Sequence, residues 1–170
     1  MAPPAVLPSN QGVQQSLPLL PPASLGASHQ VTQLLHGEYA DKSFSLQCAI
    51  TTNADKLSVI CLTSMGLRAF TLNYDGKQLT EQRAPQLPDA LRAEQLLNDL
   101  QLAFWPLSVI QQSWRNAGVQ VTEPYPGTRR VERNGTIISE VHYSRDPWEG
   151  RVWLHQNQIG YSLYIESSVE

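Results

Sequence analysis

This sequence has very little of what usually announces a chemistry. It holds only two cysteines, Cys48 and Cys61, with no CxxC spacing and no adjacent histidine pair. Two such residues do not supply a tetrahedral metal site, so no metal and no cofactor are expected. There is no GxSxG elbow, no HExxH and no glycine-rich phosphate loop. Basic residues are scattered, with only Arg129, Arg130 and Arg133 close together. With a net charge of −3 and a pI near 5.8, nothing favours a nucleic-acid partner. No stretch is long and apolar enough for a membrane-spanning helix. No signal peptide is recognisable, and "MAPPAV" reads as a Met set in front of a mature segment.

What is present begins with a biased segment. Residues 1–28 are rich in Pro, Ser, Gln and Gly and show no sustained period. Proline fixes φ and removes a donor, so this stretch suits neither a sheet ladder nor a long helix. It is expected to be a flexible tether, either a plain terminus or the spacer behind a lipidated cysteine. "LPLLPP" has the alternative of packing on the body as an irregular arm.

Residues 29–170 form the expected single domain, whose length allows one sizeable core. A period of two runs through residues 29–39, 43–52, 57–63 and 68–74, then through a more polar, edge-like stretch at 77–84. Asp75 and Gly76 read as a two-residue type I′ hairpin turn, as do Asn134 and Gly135. A helical segment follows, expected to begin at Pro88 and Asp89. Pro106 interrupts it, and a second short helix runs to Trp114 with Gly118 beyond its end. Five further strands are expected at residues 119–123, 128–133, 136–144, 151–156 and 158–166. Ten strands joined mostly by hairpin-length links imply an antiparallel sheet, not a parallel one. So many strands in a body this small are expected to curl. The fold class is therefore mainly β (α+β). A curved antiparallel sheet forms an open, unclosed β-barrel, with a two-helix insertion at about residues 88–115 over its concave face.

The first helix is unusual in being apolar on two sides. Ala93, Leu96, Leu97, Leu100, Ala103 and Phe104 make one stripe, while Leu91, Leu102 and Trp105 lie off it. Either the helix lids an apolar cavity, or the small domain simply fills its core. A cavity would be lined by Leu46, Val59, Phe70, Leu72, Leu79, Leu100, Phe104 and Trp105. Arg68 is placed on the same strand face as Phe70 and Leu72. There it could hold an anionic headgroup, snorkel to the rim or pair with an acid such as Glu81. A turn at residues 53–56 sets Cys48 opposite Cys61 and Ile50 opposite Val59, which allows a disulfide in an oxidising compartment or two buried thiols in a reducing one. Glu140 and His142 share a strand face, as an acid–base pair or as a half-solvated surface. Trp148 and Trp153 fit core, rim or interface equally.

"LLNDLQLAFWP" (residues 96–106) and "GLRAFTLNYDG" (residues 66–76), with the order tether, meander, helix, meander, resemble an uncharacterised family of bacterial lipoproteins often encoded beside aryl-polyene biosynthesis genes. The order is also similar to that of the LolA and LolB lipoprotein carriers. The resemblance implies an unclosed barrel with helices over its concave face, and acyl chains bound in a hydrophobic cavity. It implies an envelope protein facing the periplasm at the outer membrane, held through an N-terminal lipid anchor. The expected function is non-enzymatic binding or carriage of a hydrophobic ligand: an acyl lipid, a lipoprotein acyl chain or a polyene. The alternatives are an adaptor with a filled core that docks envelope or biosynthetic protein partners, and an acyl-processing enzyme using Glu140 and His142. Met65, in the turn "SMGL", is the nearest counterpart of the protruding apolar loop residue of LolB.

Overall fold

A computed structural model describes residues 17–85, 87 and 92–169. The expected helix start at Pro88 and Asp89, the off-stripe Leu91, and most of the Pro-rich segment lie outside the described residues. The strands are β1 (His29–Tyr39), β2 (Lys42–Thr52), β3 (Leu57–Leu62), β4 (Arg68–Tyr74) and β5 (Leu79–Arg83). After helices α1 (Ala93–Phe104) and α2 (Leu107–Trp114) come β6 (Gln120–Thr122), β7 (Thr128–Arg133), β8 (Thr136–Tyr143), β9 (Arg151–Gln156) and β10 (Tyr161–Val169).

All ten strands form one antiparallel sheet in the order β5-β4-β3-β2-β1-β10-β9-β8-β7-β6. It consists of two five-stranded meanders fused where β1 pairs with β10. The outermost strands, β5 and β6, are not paired with each other, so the sheet stays open.

Alternation sorts the side chains between two faces. Val31, Leu35, Leu46, Cys48, Ile50, Val59, Phe70, Leu72, Val152, Leu154, Leu163 and Ile165 project to the face that carries the helices, and all are buried. Gly37 lies opposite Phe44 on this face. A Cβ there would run into the Phe44 ring, so the glycine makes room for the aromatic cover. Cys48 and Cys61 are directly opposed in the register and joined by a disulfide.

Two local expectations change. Asn134 and Gly135 both take positive φ (53° and 80°), as a type I′ turn requires. At the other hairpin Gly76 has positive φ but Asp75 does not. Tyr74 pairs with Leu79, so this loop has four residues, and the Asp75 carboxylate accepts from the N–H groups of Lys77 and Gln78. A bulge between β3 and β4 also alters Arg68. Cys61 faces Phe70, but Leu62 faces Arg68, and Ala69 is the extra residue. Arg68 therefore sits exposed and in line with Leu62, not on the face of Phe70 and Leu72 where strict alternation puts it.

Pro106 separates the helices as expected: α1 ends at Phe104 and Pro106 is the N-cap of α2. Arg92, the N-cap of α1, makes no side-chain cap, and at the C-cap only the main-chain N–H of Trp105 bonds back, to the Gln101 carbonyl. Glu81 of β5 accepts from the Ala93 N–H at 3.0 Å, a carboxylate at the positive end of the helix. At the other end Arg129 donates to the carbonyls of Leu102 (2.6 Å) and Trp105 (2.7 Å), and the Tyr143 hydroxyl donates to that of Ala103. These bonds satisfy carbonyls that a helix C-terminus leaves without partners.

Residues 17–25, part of the expected tether, pack against the helices. They include a 3-10 turn, Pro22–Leu25. Asn98 and Gln101 hold the arm by reciprocal bonds: each side-chain carbonyl accepts from, and each side-chain NH2 donates to, one arm residue. The partners are Leu17 for Asn98 and Leu20 for Gln101. The indoles of Trp114 and Trp105 donate to the Pro18 carbonyl and the Ser24 hydroxyl. This answers the two-sided helix. One side of α1 meets the sheet. The other, with Asn98, Gln101, Leu102 and Trp105, meets the arm.

Candidate functional site

The residues expected to line a cavity are packed together instead. Leu46, Val59, Phe70, Leu72, Leu100, Phe104 and Trp105 are each at most 7% exposed and belong to one continuous core, with Leu79 partly buried at its margin. Under the helices, a space of about 10 Å³ lies between Leu17, Asp99, Leu102, Trp114, Ile138 and Gln156. That is room for about one water, not for an acyl chain.

The large concavity is on the opposite face of the sheet. It is a groove of about 930 Å³. Its architecture follows from the register. His142, Trp153, Tyr164, His36 and Ser45 stand opposite one another in sequence across β8, β9, β10, β1 and β2, and make one wall. Arg151, Glu166, Leu34, Gln47 and Leu62 make the other, from β9 across to β3. Between them runs the row Tyr143, Val152, Ile165, Leu35 and Leu46, whose side chains point into the core, so backbone floors the groove. Six strands at the usual interstrand spacing give it a length of about 24 Å. The turn after β3 closes one end, where Met65 and Leu67 are 83% and 61% exposed.

The walls are amphipathic and lean apolar. Ring centroids along the first wall are 5.0 Å apart for His142 and Trp153, 6.4 Å for Trp153 and Tyr164, and 6.1 Å for Tyr164 and His36. His155 also stacks on Trp153, at 5.8 Å. Leu34 and Tyr164 remain 53% and 44% exposed, a large apolar area for sheet positions that nothing among the described residues covers. Of the expected lining residues only Leu46 touches this groove, and Arg68 is outside its lining. The sequence reading followed the more apolar parity of each strand, which is the core. The missed signal was aromatic and aliphatic residues on the opposite parity of neighbouring strands: Leu34, Trp153 and Tyr164. Only the pairing across β1 and β10, at opposite ends of the sequence, brings these together.

Other candidate groups are engaged elsewhere. Glu140 is ion-paired with Arg130 at 3.4 Å, while His142 packs on Trp153. Trp148 stacks on His29 at 4.0 Å and leans on Phe104. Asp99 is buried under the helices, where it accepts from the Tyr161 hydroxyl and from Gln95. Burial raises its carboxyl to about 7 against the opposing pull of these hydrogen bonds. Among the described residues no cluster of His, Cys, Asp and Glu is arranged to hold a metal ion, and no helix is long and apolar enough to cross a membrane.

Over residues 30–169 the chain matches the family described as "Protein of unknown function (DUF3261)". No curated protein matches it. Among solved structures it is similar to a crystal structure from Vibrio parahaemolyticus, provisionally described as an outer membrane lipoprotein-sorting protein domain. The identity is 7% and the TM-score 0.42, over 85% of this chain and 86% of that one.

Proposed function

We propose that this chain, which belongs to the DUF3261 family, is a non-enzymatic envelope domain that binds or carries a hydrophobic ligand along the outer face of its sheet. The observation that carries this reading is the groove itself. Its volume of about 930 Å³ suits a single long apolar ligand, and an aromatic wall faces Leu34 and Leu62 across it. The ligand class is an acyl lipid, a lipoprotein acyl chain or a polyene. The tight core favours a ligand outside the sheet over one between sheet and helices. The disulfide is consistent with an oxidising compartment such as the periplasm. In this reading an N-terminal lipid anchor ahead of the Pro-rich segment holds the domain at the outer membrane.

The test is organic extraction and mass spectrometry of the full chain purified from bacterial envelopes, beside Leu34→Glu and Trp153→Ala. Both positions lie on the outward face of the sheet, so the variants are expected to fold. A stoichiometric lipid or polyene in the parent, lost in both variants, is the expected result. A second reading rests on the exposed Met65 and Leu67 beside the groove: an adaptor that docks an envelope protein on this face. Absence of any extracted ligand, with photo-crosslinks from position 34 to one envelope protein, would replace the first reading with the second.

A further inference from the structure

The groove is continuous with a second concavity of different character. A polar pocket of about 470 Å³ shares Ser144, Arg151 and Glu166 with the end of the groove. It continues over Arg145, Glu149 and Ser168. Its charged side chains are two arginines and two glutamates. The Arg145 side chain is held by its Nε, which donates to the main-chain carbonyl of Glu149 at 3.0 Å, and the main-chain N–H of Arg151 donates to the Ser144 hydroxyl at 2.9 Å. Arg151 and Glu166 face each other at 3.5 Å, still well exposed. An exposed pair of this kind contributes little to stability, so its partners can be exchanged for a ligand's at small cost.

We infer that the ligand is a zwitterionic amphiphile, whose tail lies in the apolar groove and whose head, bearing an oxyanion and a cationic group, lies in the adjoining polar pocket. This rests on the groove being the binding site. Arg145 and Arg151 offer planar forks to a phosphate-type oxyanion. Glu149 and Glu166 offer carboxylates to an ammonium. A purely anionic head would leave those carboxylates facing like charge, and a purely cationic one would do the same to the arginines. An uncharged head would leave both sets merely paired with each other. Balanced charge beside an apolar trough thus selects for both signs on one head.

The experiment is calorimetric titration of the full chain with dodecylphosphocholine, dodecyl sulfate, dodecyltrimethylammonium and dodecyl maltoside, each below its micellar concentration, with free phosphocholine as the tail-less control. Dodecylphosphocholine is expected to bind about tenfold more tightly than any of the others, the worth of one charge-assisted hydrogen bond. In Arg151→Ala and in Arg145→Ala that preference over the maltoside should shrink toward one. Free phosphocholine should bind far more weakly than the intact amphiphile. Equal affinity for all four heads would overturn the headgroup inference and leave the groove reading intact. Tightest binding of the sulfate or of the ammonium would also overturn it, in favour of a singly charged head. Phosphocholine binding as well as the amphiphile would show a head site with no tail groove. No binding of any probe would remove both readings together.

Discussion

Asp99 is a carboxyl group whose burial favours its neutral form. It is buried on α1 and receives hydrogen bonds from Tyr161 and Gln95. Desolvation outweighs those bonds and lifts its pKa from an ordinary carboxylate value to about 7. The folded state therefore holds a proton that the unfolded chain releases near pH 4. By linkage, the stability this group leaves to the fold is greatest below about pH 4 and declines as pH rises to about 7, beyond which the whole cost is present. Thermal unfolding followed from pH 4 to pH 8 should show this decline in the parent. Asp99→Asn, which stays neutral, should flatten it and melt higher at pH 8. An unchanged slope in the variant would locate the dependence in another group. Tyr161, raised well above its usual range by burial and by Asp99, adds no ionisation in this window.

Secondary elements here depend on side chains sent from far away. Helix α1 has Glu81 at one end and Arg129 with Tyr143 at the other, and an arm along its flank. Gln101 is fully buried and makes both of its bonds to the backbone of Leu20. Gln101→Ala would leave a buried N–H and a buried carbonyl unsatisfied, at a cost of about 2–3 kcal/mol. The expected result is faster limited proteolysis within residues 17–25 and a lower melting temperature, with the sheet intact by circular dichroism. Protection equal to the parent's would mean that the Trp105 and Trp114 bonds suffice. This scale also marks what the sequence made legible. Strand positions, the break at Pro106 and the pairing of Cys48 with Cys61 follow from local period, proline chemistry and one turn, all of which act over a few residues. The side of Arg68 was not legible, because one bulge inverts parity and leaves no mark in composition. The role of Arg129 was not legible either, because a basic residue after a turn looks the same whether it meets water or a helix terminus. The groove depends on positions 34, 153 and 164 meeting, and that is a property of pairing between chain ends.

At the scale of the whole molecule, the disulfide lies inside the first meander, between β2 and β3. It closes a loop with a sequence separation of 13, for which loop-closure entropy gives a stabilisation of about 3 kcal/mol. The double variant Cys48→Ser, Cys61→Ser should lower the urea midpoint accordingly, and reductant should do the same to the parent. A parent indifferent to reductant would show that the thiols are not cross-linked in solution. Because the bridge is on the helix-side face, neither treatment should alter the shape of the groove. Its loss should act on ligand binding only through stability.

The seam between β1 and β10 has a consequence in time. The two strands at the middle of the sheet are the first and last of the described strands in chain order, and Gln33 bonds Ser167 across 134 positions. Each meander can form from neighbouring hairpins as it emerges, but their union must await the final strand. High contact order of this kind makes the closing step slow. Until then two unpaired inner edges are open to other chains. A groove that spans this seam cannot form in a chain that ends before β10, so a protein released early, or cut there, has neither a finished sheet nor the groove.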